Sequence, residues 1–262
     1  MKHQKRLRHK KIVITGSSSG IGKAAAIQLS EMGAEVLLIA RREDELKSIV
    51  GQIQSAGGLA SAYPCDLSNL EIVDQLCDKL LTKHQKIDIL INNAGRSIRR
   101  PTIQSIERYH DFERCMTLNF YSPVRLIRKL LPPMLEAKDG HIINSSTWGT
   151  LFPNLGFGLY NASKAALDSF AQTLRLELHD TGVAVTQIHY PLVHTPMSAP
   201  TEMLRRLPGL TPEMAGKWMV KAVLKRPHQI LDTKTRIVRM FSFLYPTTVE
   251  TISCRIDKLI SR

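Results

Sequence analysis

The sequence predicts an α/β protein: one doubly wound sheet of parallel strands with helices on both faces and a helical tail at its C-terminus. Three observations point there. Short β-branched runs alternate with longer amphipathic stretches, the pattern parallel strands need because each must be joined to its neighbour by a long crossover. A glycine-rich segment, Thr15-Gly16-Ser17-Ser18-Ser19-Gly20-Ile21-Gly22, follows the first run directly and opens a helical stretch. The composition, 43% hydrophobic and 23% charged in 262 residues, is that of a globular chain whose length one such sheet absorbs as a single unit.

Taken in order, Lys11 to Thr15, Glu35 to Ile39, Leu59 to Tyr63, Ile87 to Ile91, His141 to Ser145 and Val183 to His189 read as strands, with helices between them. Residues 1–10 form a basic tail ahead of the first strand, and residues 11–235 form the body. Within it the stretch 191–212 breaks into prolines, methionines and leucines (Pro191, Pro196, Met197, Pro200, Met203, Leu204, Pro208), too irregular for a core element and suited to a lid or substrate loop. Residues 236–262 form a helical extension in which Val249, Ile252, Ile256 and Leu259 recur at helical spacing, predicting packing on the body or on a second subunit. Phe241, Phe243, Leu244 and Tyr245 are expected in the core. The alternative is that they touch an anionic membrane together with Arg236 and Arg239.

Against 23 Asp and Glu stand 36 Lys and Arg, a net charge of +13 that calls for an anionic partner: a phosphorylated cofactor, coenzyme A, an acidic lipid surface or nucleic acid. No zinc-finger or RNA-binding aromatic motif accompanies the charge, so nucleic acid is not expected. Cys65, Cys77, Cys115 and Cys254 lack the close pairing of a zinc or redox site and read as reduced, mostly buried thiols. No apolar run is long enough to span a bilayer, so the expectation is a cytoplasmic protein, at most peripheral to a membrane.

The glycine-rich turn carries chemistry because of where it lies. Gly16 makes a tight turn, Gly20 lets backbone approach a pyrophosphate, and Gly22 allows close packing of helix on strand, while the helix N-terminus offers unpaired N–H groups to anionic oxygen. Ser18, Ser19 and Ile21 complete the loop. At the end of the second strand, where a carboxylate would meet a ribose 2′-hydroxyl, the chain has Arg41 and Arg42. An arginine pairs with a 2′-phosphate that a carboxylate would repel, so the expected cofactor is NADP(H).

Tyr160 and Lys164 lie four residues apart, so on a helix they share a face. A phenol of pKa ~10 needs a nearby ammonium to serve as an acid–base group near neutral pH. The chain resembles the short-chain dehydrogenase/reductase family along nearly its whole length. Thr15 to Gly22 matches the family's glycine turn, Asp66-Leu67 its adenine contact, Asn92-Asn93-Ala94-Gly95 its post-strand motif, Asn119 its active-site asparagine, and Tyr160 to Lys164 its Tyr-x-x-x-Lys pair. The resemblance implies a Rossmann-type fold and a homodimer or homotetramer. It makes Tyr160 the general acid, and Lys164 both its electrostatic partner and a ligand of the nicotinamide ribose. It makes Asn119 the holder of a relay water, and sets Pro191, Val193 and Thr195 at the carboxamide, with Asn92, Asn93, Ala94 and Gly95 along the cofactor channel.

The family's substrate-orienting serine stands roughly 13 residues before the tyrosine, which here is Thr147. Ser146 is adjacent but points elsewhere if the strand continues. Thr147 is favoured, with Ser146 in reserve. Within the family, residues 91–100 with Arg96, Arg99 and Arg100, residues 110–114 and residues 191–197 are similar to bacterial long-chain fatty acyl-CoA reductases. That likeness implies reduction of a fatty acyl-CoA to its aldehyde, the arginines meeting coenzyme A phosphates and the Met/Leu-rich loop covering the acyl chain. The alternatives are an aldehyde, 3-oxoacyl or other lipid-like ketone reductase and, in another class, a non-catalytic NADP-binding sensor or scaffold.

Overall fold

A computed structural model describes residues 7–152 and 154–260, the side chains of 256–260 excepted. Lys2, Lys5 and Arg6 of the basic tail, and the Ile256 and Leu259 side chains, therefore lie outside the described residues. Seven parallel strands form one sheet in the order β3-β2-β1-β4-β5-β6-β7. They are β1 Lys11–Thr15, β2 Glu35–Ala40, β3 Leu59–Pro64, β4 Ile89–Asn92, β5 Gly140–Thr147, β6 Val183–Tyr190 and β7 Gln229–Ile230. The helices are α1 Gly20–Glu31, α2 Glu43–Ser55, α3 Leu70–His84, α4 Tyr109–Met116, α5 Ser122–Glu136, α6 Gly158–Glu177, α7 Glu202–Arg205, α8 Pro212–Lys225, α9 Thr233–Leu244 and α10 Pro246–Ile260. The strand order reverses direction between β1 and β4, and sheets of this kind bind ligands at the strands' C-terminal ends beside such a reversal.

Ile12, Ile14, Leu29, Leu38 and Met219 pack on one face of the sheet, and Val13, Leu37, Leu80, Leu126 and Ile142 on the other. Every core strand is covered twice, which is why its sequence reads as a continuous apolar run. β4 begins at Ile89, two residues after the predicted start, although Ile87 is fully buried. β5 extends two residues beyond its predicted end, pairing Ser146 with His189 and Thr147 with Tyr190.

The segment 191–212 is more ordered than its composition implies. It holds α7, a bridge between Val193 and Leu210, and a buried Val193. The expectation of core packing for the tail aromatics is corrected: Phe241, Phe243, Leu244 and Tyr245 are 50%, 86%, 57% and 54% exposed. α9 starts from an Asp232 cap, buries Thr235 at its root and is tied to β7 by Arg239, whose Nη1 donates to Gln229 Oε1 at 3.4 Å, while Phe241, Phe243 and Leu244 face outward.

Candidate active site

The glycine turn joins β1 to α1 with Gly16 at φ +66° and Gly20 at φ +54°, backbone that L side chains rarely adopt. A Cβ on Gly22 would stand 2.4 Å from the Gly16 carbonyl oxygen, and one on Gly16 2.8 Å from the Ala94 Cα. Ser19 caps α1 without a side-chain hydrogen bond, so the first-turn N–H groups keep their donors for an anion. Thr15 Oγ1 accepts hydrogen bonds from the backbone N–H groups of Asn93 and Ala94 at 2.9 and 3.0 Å, and Asn93 Nδ2 donates to Thr15 O at 3.0 Å. The glycine turn and the post-β4 loop are thereby one rigid cradle. Thr195 closes it from the far side, its Cγ2 3.1 Å from where a Gly20 Cβ would be. Pro191 is half-buried at the end of β6.

At the adenosine end, Arg42 Nη2 donates to Ser18 Oγ at 3.2 Å and pairs loosely with Glu45 at 3.6 Å. Arg41 is exposed beside it. Arg96 is held below the usual guanidinium range by burial and by the charges of Arg114 and Arg41, with Asp66 opposing. Asp66 Oδ1 accepts from Ser68 N at 2.9 Å, which shapes the loop, and Leu67 is buried under it. A carved turn, a free helix N-terminus and crowded guanidiniums fit a phosphorylated dinucleotide.

Tyr160, Lys164, Thr147, Asn119 and Gly95 converge at the C-terminal ends of β4 and β5. Lys164 is buried and donates to Ser145 O at 2.8 Å; burial pushes its ammonium down to about 8, with the Asp168 carboxylate opposing. Tyr160 is half-buried, and burial together with the Asp168 charge pushes its phenol up to about 12 against a hydrogen bond from the Thr147 hydroxyl. Asn119 sits fully buried in a π-helical turn, Thr117–Tyr121, between α4 and α5. Its Oδ1 accepts from Arg96 N at 2.8 Å, and its Nδ2 donates to Arg96 O and to Ser163 Oγ, both at 2.9 Å. Gly95 leaves room for Lys164, whose Nζ would lie 3.4 Å from a Cβ there. Asn92 turns aside to donate to Asn144 Oδ1 at 2.9 Å.

Ser146 is not directed at Tyr160: its Oγ donates to Asp168 Oδ2 at 2.7 Å. Sequence reasoning missed Asp168. Its spacing, four residues past Lys164 on the same helix face, was the available signal. Of the arginines near the mouth, Arg100 is ion-paired with buried Asp111, to which Arg108 also binds at 3.0 Å. The backbone N–H of Arg100 donates to Gly156 O at 2.7 Å, tying segments 96–108 and 148–157 together. Exposed Ile103, Ile106, Trp148 and Leu155 lie on these two segments.

Fold and site define a nicotinamide-dependent oxidoreductase. The family model for short chain dehydrogenase matches residues 10–204, and the chain belongs to the short-chain dehydrogenase/reductase family. It is 47% identical over 247 residues to a protein named fatty acyl-CoA reductase from Mycobacterium tuberculosis, covering 94% of this chain and 84% of that one. A protein of the same name from Acinetobacter baylyi is 45% identical over 233 residues, covering 89% and 78%. A metagenomic short-chain oxidoreductase solved in complex with NADP superposes with a TM-score of 0.75 at 27% identity, covering 86% of this chain and 97% of that one.

Proposed function

We propose that the protein reduces a fatty acyl-CoA to the fatty aldehyde with NADPH. The observation that carries the reductase chemistry is the Tyr160 phenol set one turn from buried Lys164, whose ammonium borders Gly95 of the loop packed on the glycine turn. The dinucleotide would be held by Gly16, Ser18, Gly20, Gly22, Arg41, Arg42, Asp66, Asn93, Gly95, Val193 and Thr195, and when bound it supplies the hydride. Thr147 orients the carbonyl oxygen and Tyr160 donates its proton to that oxygen as negative charge grows there. The Lys164 ammonium stabilises the phenolate left behind, which takes the proton back from the resulting hemithioacetal as its C–S bond breaks, leaving the aldehyde and a coenzyme A thiolate that is protonated from solvent. Asn119, fixed by three hydrogen bonds, keeps the Arg96 backbone and α6 in place around this lysine.

Two features favour an acyl thioester. The relatives from M. tuberculosis and A. baylyi carry the name fatty acyl-CoA reductase. Exposed Ile103, Ile106, Trp148 and Leu155 share their segments with Arg96, Arg99 and Arg100, apolar surface for an acyl chain next to cations for phosphates. The outward stripe of α9, Phe241, Phe243 and Tyr245 with Arg236 and Arg239, suits contact with an anionic membrane where such lipids reside.

Purified protein is assayed for NADPH oxidation with palmitoyl-CoA, a long-chain aldehyde and a 3-oxoacyl thioester. Palmitoyl-CoA turnover with release of free thiol and aldehyde is expected, abolished in Tyr160→Phe. Aldehyde or ketone turnover without thioester turnover refutes the substrate. NADPH binding with no turnover of any of the three refutes the catalytic reading.

A further inference from the structure

Asp168 lies on α6 one turn beyond Lys164 and two beyond Tyr160, and it is buried. Its Oδ2 accepts hydrogen bonds from Ser146 Oγ and Thr150 Oγ1, both at 2.7 Å, and its Oδ1 accepts from Gln187 Nε2 at 3.0 Å. His189 Nδ1 stands 3.6 Å from Oδ2. A carboxylate in a core is costly unless it is fully satisfied, and an apolar residue of similar volume would pack there at lower cost. What the partners share is position. Ser146 comes immediately before Thr147 and Thr150 three residues after it, and Thr150 Oγ1 also reaches Thr147 O at 2.9 Å. One carboxylate therefore brackets Thr147 from both sides while riding on the helix that carries Tyr160.

We propose that Asp168 is a positioning residue that fixes the register between α6 and the end of β5, holding Thr147 in place against the helix that carries Tyr160. This rests on the roles assigned above to Tyr160, Lys164 and Thr147. The carboxylate acts by charge as well: it favours the ammonium of Lys164 and opposes ionisation of Tyr160. The other charged or titratable groups around it come from three elements and the loop before β7. His189 of β6 has the Arg239 charge of α9 behind it, and Arg175 of α6 and His228 border the same polar cavity of about 370 Å³.

Asp168→Asn separates position from charge. Asparagine keeps an oxygen for Gln187, and its amide can donate to Ser146 and Thr150 once those hydroxyls rotate, so the network stays satisfied while the charge is lost. Lys164 then loses the carboxylate that opposes its burial and deprotonates at lower pH. The expected result is an alkaline limb of kcat displaced to lower pH and a kcat reduced about tenfold at neutral pH, with a smaller change in the KM for NADPH. A folded Asp168→Asn enzyme with an unmoved alkaline limb overturns the charge part of the proposal, and the position part is decided by the pair that follows.

The pair Ser146→Ala and Thr150→Val tests position, and it decides alone should Asp168→Asn fail to fold. It leaves the carboxylate in place but severs it from the neighbours of Thr147. A fall in kcat without a matching rise in the KM for NADPH supports the proposal, and an unchanged kcat overturns it. Tyr160→Phe is measured alongside. Full activity there removes the reading of the site and the proposal with it, whereas an inactive Tyr160→Phe beside a wild-type-like Ser146→Ala and Thr150→Val pair removes the proposal alone.

Discussion

Replacing Lys164 by methionine should raise the stability of the fold while ending its reductase activity. The ammonium is buried, and its ordinary value of 10.5 is pushed down to about 8. At 1.36 kcal/mol per unit, the charged form is disfavoured in the folded state by roughly 3 kcal/mol. Methionine fills a similar volume without charge, but it deprives the Ser145 carbonyl of its 2.8 Å donor, a loss of about 1 kcal/mol. The net is a gain of about 2 kcal/mol near neutral pH, which for a chain of this size corresponds to a rise in Tm of roughly 5 °C. The sign with pH follows from the depressed value. Below about 8 both states hold the proton and the whole penalty acts on wild type. Between 8 and 10.5 the folded lysine is neutral while the unfolded one is still charged, so the unfolded state binds more protons and wild-type stability rises with pH. The advantage of the variant should therefore shrink across that window. Thermal melts by circular dichroism at pH 7 and pH 9.5, with NADPH turnover measured in parallel, check each step. A Lys164→Met protein no more stable than wild type at pH 7, or a gap that persists unchanged at pH 9.5, refutes the reasoning.

Arg41→Glu should lower kcat/KM for NADPH about a hundredfold, since a charge-assisted contact is lost and a repulsion replaces it, while kcat/KM for NADH holds or rises. Equal losses with the two cofactors in steady-state assays would remove the 2′-phosphate role. The outward stripe of α9 should bring the protein down with vesicles containing phosphatidylserine but not with pure phosphatidylcholine, and Phe243→Asp together with raised salt should release it. Equal sedimentation with both vesicles would count against electrostatic attachment.

The body of the sheet was legible because each strand, covered on both faces, had to be written as an apolar run, and because the glycine turn at residues 15–22 has few other uses between a strand and a helix. β7, only Gln229–Ile230, is too short to show a period, and its pairing with Gln187 and Ile188 is dictated by α8 returning the chain to the edge. The tail misled for a different reason. Phe241, Phe243, Leu244 and Tyr245 have core composition, and composition is silent about whether anything remains to pack against. That Tyr160 and Lys164 lie one turn apart on α6 followed from spacing. That Asp168 engages the Ser146 hydroxyl needed coordinates, since a buried aspartate reads in the sequence like any solvated one on a helix.

The polar residues of the interior are concentrated where the strands end. Asn92, Asn119, Asn144, Ser145, Ser146, Lys164, Asp168, Gln187 and His189 are all buried, and they lie on β4, β5, β6 and the helices packed against those strands. Aliphatic residues at these positions would make a more stable core, as they do on β1 and β2, where Val13, Ile14, Leu37 and Leu38 are fully buried. Such local violations are expected where a site requires charges and hydroxyls held at fixed distances in a region that excludes water. Stability and turnover should therefore trade against each other along this strip, and Lys164→Met is its sharpest case because one substitution removes both the buried charge and the group proposed to steady the phenolate.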